Sequence, residues 1–232
     1  MISVIIPTYN EADQIGKTIS RVLNSPNQTF LSEIIIADGG STDDTIKIAE
    51  RAGGKVVLSS KRGRASQMNA GAHIAKSDIL YFLHADSVPP ERFSHGILQA
   101  VSAGYCSGCY RLQFDHSHWF LKANCWFTRF DVNAVRFGDQ SLFVTKEVFQ
   151  ICGGFDEKLI MMEDQEIIRR IRKHSRFKVM KDSVTTSARK YLVNGIYRMQ
   201  GIFFVIWFLY YLGFSQERLL RLYRRLIRQD KL

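Results

Sequence analysis

Three short apolar runs in the N-terminal half of this chain lead to carboxylates. Val4-Ile5-Ile6 runs through Pro7-Thr8-Tyr9-Asn10 to Glu11, Ile34-Ile35-Ile36-Ala37 to Asp38, and Ile79-Leu80-Tyr81-Phe82-Leu83 through His84-Ala85 to Asp86. Carboxylates in such places accept hydrogen bonds from ribose hydroxyls or a base edge, and they hold hard cations. Between the last two lies a glycine-flanked basic loop, Arg62-Gly63-Arg64-Ala65-Ser66-Gln67-Met68-Asn69-Ala70-Gly71, whose cations and backbone N–H groups suit phosphate. It does not have the G-x-x-x-x-G-K-[ST] spacing, and no G-x-G-x-x-G is present, so P-loop and typical dinucleotide chemistry are excluded. Further on, Glu163-Asp164 opens a helical pattern. Adjacent acids disfavour each other's ionisation, which raises one pKa towards the range of a useful general base. Each acid also has a plainer reading. Glu11 fits a helix first turn, Asp38 the shaping of the Gly39-Gly40 turn, Asp86 a cap, and Glu163-Asp164 the complement of a helix dipole.

The elements that carry these residues follow from pattern. Apolar runs without alternation fit strands covered on both faces. Helical periodicity covers Ala12–Leu23, 46–52 (capped by Ser41 or Thr42), the stretch opening at Arg64, and 91–103. The regular strand–helix alternation predicts βαβ units, right-handed crossovers and a mostly parallel sheet. Ligands of such sheets bind beyond the carboxyl ends of the strands, where the three acids fall. Residues 105–114 alternate as a strand, 118–135 form an aromatic-rich segment, and 137–144 give a polar turn and then a strand. Cys106-x-x-Cys109, with His116 and His118 nearby, invites a zinc or redox reading. The alternating strand and the spacing favour small buried thiols instead.

At 232 residues, 46% hydrophobic and 23% charged, the chain can bury one sizeable core and is not disordered. Four cysteines predict no disulfide framework, and Met1-Ile2-Ser3 enters a strand with no basic leader, so a cytoplasmic location is expected. The net charge of +10 is uneven: residues 169–232 hold sixteen Lys/Arg and three acids, the rest sixteen and nineteen. An acidic body argues against nucleic acid, and a basic tail argues for an anionic membrane surface. In that tail 201–214 is almost wholly apolar but too short for a comfortable span, which takes about 20 residues. A basic amphipathic helix follows, with Leu219, Leu220, Leu222, Leu226 and Ile227 among arginines, as on a membrane surface or in a homodimer interface. The expected division is a domain of 1–190 and a helical appendage of 191–232.

Taken together, the Val4–Glu11, Ile36–Thr45 and Leu83–Asp86 motifs resemble those of family 2 glycosyltransferases with the GT-A fold. The Gly63–Gly71 loop resembles a subfamily associated with arsenosugar biosynthesis. The resemblance covers about residues 1–190. It implies an α/β, GT-A-like, mostly parallel sheet flanked by helices, and an inverting transfer of one sugar from a nucleotide-diphosphate donor. It places Pro7, Tyr9, Glu11, Asp38, Gly63, Arg64, Asn69 and Ala85 on the nucleotide sugar, a UDP-sugar being the expected donor. Asp86 would hold a divalent metal, Mn2+ or Mg2+. The common Asp-x-Asp stands here as His84-Ala85-Asp86, which leaves one carboxylate in that motif. Asp164 matches the family's base, with Glu163 in support, and Asp139, Gln140 and Arg189 fall on the acceptor side. The acceptor would be a small molecule or lipid-linked. The Gln-x-x-Arg-Trp of processive members is missing around Thr186–Tyr191. Two rivals remain: a sugar-phosphate nucleotidyltransferase, which normally opens with a Gly-rich basic loop after its first strand, and a non-enzymatic membrane-surface module.

Overall fold

The computed structural model describes residues 1–26, 28–136 and 138–228. Phe137, at the head of the expected polar turn, and residues 229–232, at the end of the expected tail, lie outside them. Strand β1 (Ile2–Thr8) is buried at every residue, as a run without polar alternation must be when both faces are covered. Helix α1 (Ala12–Leu23) has the bounds its periodicity predicts, with Ile15, Ile19 and Val22 turned inward. The alternation continues through β2 (Leu31–Asp38), α2 (Thr45–Arg51), β3 (Lys55–Leu58), α3 (Arg64–Ile74) and β4 (Ile79–Phe82). The cap expected at Ser41 or Thr42 falls instead at Asp44. Ser41 and Thr42 are engaged elsewhere: Asn10 N–H donates to Ser41 Oγ at 2.9 Å, and Thr42 N–H donates to Asn10 Oδ1 at 2.8 Å. These bonds tie the turn after β2 to the turn after β1.

The rest of the chain runs through β5 (Ser87–Val88), α4 (Phe93–Ser102), β6 (Ser107–Phe114), α5 (Trp119–Phe127), β7 (Leu142–Thr145), α6 (Lys146–Ile151), α7 (Glu163–His174), β8 (Phe177–Thr186), α8 (Arg189–Asn194), α9 (Ile196–Tyr211) and α10 (Gln216–Leu226). The described residues form one eight-stranded sheet in the order β3-β2-β1-β4-β7-β6-β8-β5. The neighbours β3–β2, β2–β1, β1–β4 and β6–β8 are parallel, whereas β7 runs antiparallel to β4 and β6, and β5 antiparallel to β8. Strand pleating divides the core between the two faces. Val4 and Ile6 belong to one cluster with residues of α1, α4, α9 and α10, while Ile5 belongs to another with residues of α3, α6 and α7. Gly71 lets α3 lie close on β1, since a Cβ there would come 2.5 Å from Ile5 Cγ2.

The tail joins this core. Met199, Ile202 and Ile206 of α9 are buried in the same cluster as Leu219 and Tyr223 of α10. Position 190/191 itself falls inside α8. The apolar side of α10 faces the chain's own core, and its basic residues Arg218, Arg221 and Arg225 face outward. An amphipathic pattern records that a face is buried, not what buries it. Among the described residues no helix is long and apolar enough to cross a membrane. All four cysteines are free, and burial pushes the Cys109 thiol up to about 12.

Candidate active site

The carboxyl ends of β1, β2 and β4 open on a cavity of about 450 Å³. Pro7, Tyr9 and Glu11 line it from β1, Gly63 and Arg64 from the start of α3, Ala85 and Asp86 from beyond β4, and Asp139 and Arg189 from the second half of the chain. Gln67 holds the strand ends in register, its amide donating to Thr8 O at 2.5 Å and to Ala37 O at 3.0 Å.

Arg64 is the first residue of α3 and follows Gly63, whose φ of 125° only glycine adopts readily. Its Nε lies 2.8 Å from Glu163 Oε1, in an ion pair whose glutamate side chain is 1% exposed and whose arginine side chain is 37% exposed and lines the cavity. Burial pushes the Glu163 carboxyl above its ordinary 4.5, to about 7, against the pull of Arg64; the charge of Asp164 adds to the rise. Burial works against the charge on Arg64 too, but Glu163 and Asp164 more than offset it and hold its pKa above the ordinary value. The acid of the pair whose pKa climbs is therefore Glu163, chiefly through burial. Just before it Met162 sits in the left-handed region at φ 68°, a conformation that costs a non-glycine residue on the order of 1–2 kcal/mol.

Next to this pair His84 Nδ1 meets Asp139 Oδ1 at 3.1 Å. Burial disfavours the charged imidazole, but the hydrogen bond and charge of Asp139 outweigh it and leave the His84 pKa raised. Asp139 shows the converse: burial pushes it up, and the bond to His84 brings it below its ordinary value. Asp86 is raised by burial and then by the charge of Asp139. Two carboxylates thus share one side of the cavity with only partial neutralisation.

Several expected residues are placed elsewhere. Asp38 is fully buried and absent from the cavity wall. Its oxygens accept from Gly40 N–H (2.9 Å), Ser41 N–H (2.7 Å), Ser41 Oγ (2.6 Å) and Thr8 Oγ1 (3.1 Å), so it builds the turn beside the cavity. Asn69 clamps the chain after Gly154, donating to Phe155 O at 2.9 Å and accepting from Phe155 N–H at 2.9 Å. Gln140 is buried, and its amide donates to Tyr110 O at 3.2 Å. Glu163 lies behind Arg64. Asp164 lines a separate void of about 10 Å³ with His84 and Gly138. A Cβ on Gly138 would fall 2.2 Å from Asp164 Oδ2, so the segment around Asp139 lies directly over that carboxylate.

Other wall residues went unrecognised in the sequence. Arg62 stacks over Tyr9 with its guanidinium 4.0 Å from the ring centre. Lys190 adds a cation beside Arg189, and Leu220 and Arg224 of α10 complete the wall. Gln216, at the start of α10, accepts through Oε1 from Ile160 and Met161 N–H at 3.0 Å each. The tail helix thus fixes the loop that delivers Met162 and Glu163. Arg62 carried a signal in the basic loop; the residues of α10 reach the cavity through tertiary folding alone.

A polar cavity flanked by both signs of charge at the carboxyl edge of a mostly parallel sheet is the arrangement of a GT-A-like α/β domain. The family model "Glycosyl transferase family 2" matches residues 3–154, and the chain belongs to that family. The match carries no information on the arsenosugar-associated subfamily. An undecaprenyl-phosphate 4-deoxy-4-formamido-L-arabinose transferase of Edwardsiella ictaluri is 33% identical over 115 residues, which are 45% of this chain and 34% of that protein. The chain thus spans about a third of the length of this relative. Among solved structures, the mannosyltransferase PcManGT from Pyrobaculum calidifontis, in complex with GDP-Man and Mn2+, superposes with a TM-score of 0.70 at 17% identity, covering 92% of this chain and 64% of that one. S. aureus TarS in complex with UDP-GlcNAc gives 0.68 at 16% identity, covering 80% and 58%. These likenesses show the fold.

The raised pKa of Glu163 has a signature in stability. The folded chain keeps a proton that the unfolded chain gives up near 4.5. The unfolding free energy of the parent, measured against Glu163→Gln, should therefore fall as pH rises from 4.5 through about 7. A difference that stays flat over this window, followed by urea titration, would show that Glu163 ionises in its ordinary range.

Proposed function

We propose that this domain transfers a single sugar from a nucleotide-diphosphate sugar, a UDP-sugar by first choice, to an acceptor hydroxyl. The observation that carries this reading is the division of charge in the cavity, with Arg64, Arg189, Lys190 and Arg224 to meet a diphosphate and Glu11, Asp86 and Asp139 to meet hydroxyls or a cation. Pro7 and Tyr9 then border the base, and Asp38 serves the donor through the turn it holds. In the transfer the acceptor oxygen bonds to the anomeric carbon as the bond from that carbon to the diphosphate oxygen breaks. The electron pair leaves on the diphosphate, and the acceptor proton passes to a carboxylate. One displacement of this kind inverts the anomeric centre. Arg64 and its neighbours stabilise the charge that develops on the leaving group.

Asp164 is the base in this reading, with Glu163 behind it and Asp139, Gln140 and Arg189 towards the acceptor. Because Gly138 covers Asp164, the segment around Asp139 must shift for the acceptor to reach it. Asp86 and Asp139 suit a hard divalent cation, since their mutual repulsion leaves negative charge to satisfy. Among the described residues no group of three or more His, Cys, Asp or Glu could hold a metal by itself, so the donor phosphates would supply further ligands. When bound, the cation would neutralise charge on the departing diphosphate. The mannosyltransferase neighbour, described with Mn2+, supports this choice.

The Edwardsiella relative, named for undecaprenyl phosphate, supports a lipid-linked acceptor, and the outer face of α9 supports peripheral attachment to an anionic membrane. Tyr197, Phe204, Phe208 and Tyr211 are exposed at helical spacing on that face, and α10, which packs against α9, exposes Arg218, Arg221 and Arg225.

Asp164→Asn should leave donor binding intact while transfer falls by roughly 10² to 10⁴, in a radiolabelled-sugar assay. Should Asp139→Asn show that loss while Asp164→Asn does not, the base is Asp139. Asp86→Ala should remove the metal-dependent part of donor affinity in calorimetry, and an unchanged metal response would move the cation elsewhere. Phe204→Ser with Phe208→Ser should abolish sedimentation with anionic vesicles at low salt; undiminished pelleting would rule out the α9 face.

A further inference from the structure

A second cavity, a groove of about 640 Å³, lies between the β6–β8 ladder and α5. Strand alternation forms its floor. Tyr110, Leu112 and Phe114 of β6 enter the core, so Arg111 and Gln113 face the other way, in register with Ser183 and Thr185 of β8. Lys122, Trp126 and Arg129 of α5 and its C-terminal end recur at helical spacing along the wall. Three cations, Arg111, Lys122 and Arg129, therefore look into one groove. Among the described residues none of them forms an ion pair, and Arg111 Nε is buried without a hydrogen-bond partner. The one carboxylate in the lining, Asp115, is engaged by Ala188 N–H at 2.7 Å. Arg129 donates from Nε to Trp126 O at 3.0 Å, with its guanidinium 4.7 Å from the centre of the Trp126 ring. Trp126, Phe127 and Phe130 form an exposed aromatic cluster at the rim, with Trp126 ring centres 5.3 Å from Phe127 and 4.9 Å from Phe130.

Such a groove asks for an anion, because a buried donor without a partner is costly. A phosphate monoester carries about −1.5 to −2 charge and three strong acceptor oxygens, which suits three converging cations. The uncovered aromatics beside it suit an apolar chain, Trp being at home where one end is apolar and the other wet. We infer that the groove binds the phosphate monoester of an amphiphile whose chain lies along Trp126, Phe127 and Phe130. The binding site rests on the groove itself; its role rests on the lipid-linked acceptor reading, in which this phosphate would anchor the acceptor's lipid part and a hydroxyl elsewhere on the acceptor would attack. The Asp115–Ala188 hydrogen bond ties the groove lining to the residue that precedes Arg189 of the donor cavity.

The test uses the full chain and decyl phosphate below its micelle concentration, followed by calorimetry and tryptophan fluorescence. Inorganic phosphate and decanol are run in parallel, with and without UDP. Decyl phosphate should bind at least tenfold more tightly than either control and should persist with UDP present. Lys122→Gln with Arg129→Gln, both exposed positions, should weaken it at least tenfold and leave UDP binding and the melting temperature unchanged. Decyl phosphate binding that the double substitution does not alter, or that UDP displaces, would overturn the inference. So would equal binding of inorganic phosphate, which indicates a plain anion site, or of decanol, which indicates an apolar one. If UDP does not bind the parent chain, the donor reading fails, and the decyl phosphate result still decides the groove.

Discussion

The contact between Arg64 and the buried Glu163 is the constraint around which the site is arranged. Burying a carboxylate carries a desolvation cost of several kcal/mol that a neighbouring guanidinium only partly repays, so the pair is a poor source of stability. What it provides is position. Arg64 begins α3 in the first half of the chain, and Glu163 begins α7 in the second. Their 2.8 Å contact fixes these two helix ends against each other and leaves the guanidinium facing the cavity. The surroundings absorb the strain: Gly63 permits the turn into α3, Met162 adopts a left-handed conformation, and Gln216 of α10 holds the loop before it.

That arrangement explains how one cavity holds both signs of charge without collapse. Arg64 answers Glu163 and Asp164, and His84 answers Asp139, while Asp86 stays raised by burial and by Asp139. Arg62 stacks over Tyr9, while Arg189, Lys190 and Arg224 come from the C-terminal part, and Arg189 also lies 3.8 Å from Glu11. Binding of a diphosphate with a cation would complete the charge balance rather than disturb it.

Much of this was legible in the sequence, for local reasons. Unbroken apolar runs have one stable use, as strands covered on both faces, and an acid at such a strand's end has few places to go but the sheet's edge. Ala12–Leu23 was readable to the residue because its periodicity starts after the polar turn at Glu11 and Pro26 stops it. What was illegible depends on distant chain. Of the four bonds that Asp38 accepts, the three from Gly40 and Ser41 belong to the turn that its plainer sequence reading named, and only the one from Thr8 on the neighbouring strand lay beyond any local spacing. Asp164 carries the expected motif, yet Gly138 lies over it. The amphipathic pattern of α10 was equally consistent with lipid, a second copy or the chain's own core; only the packing of Leu219 and Tyr223 decides.

The central claim is that the strand ends, the start of α3 and the last helix form one donor site. Hydrogen exchange of the full chain, with and without a UDP-sugar and Mn2+, tests it most directly. The account predicts slowed exchange in three clusters together: the turn at Tyr9 to Glu11, the Gly63–Arg64 turn with Ala85–Asp86, and the segments around Arg189 and Arg224. Slowed exchange confined to β6 and α5, or none at a ligand concentration far above that of the protein, would contradict it.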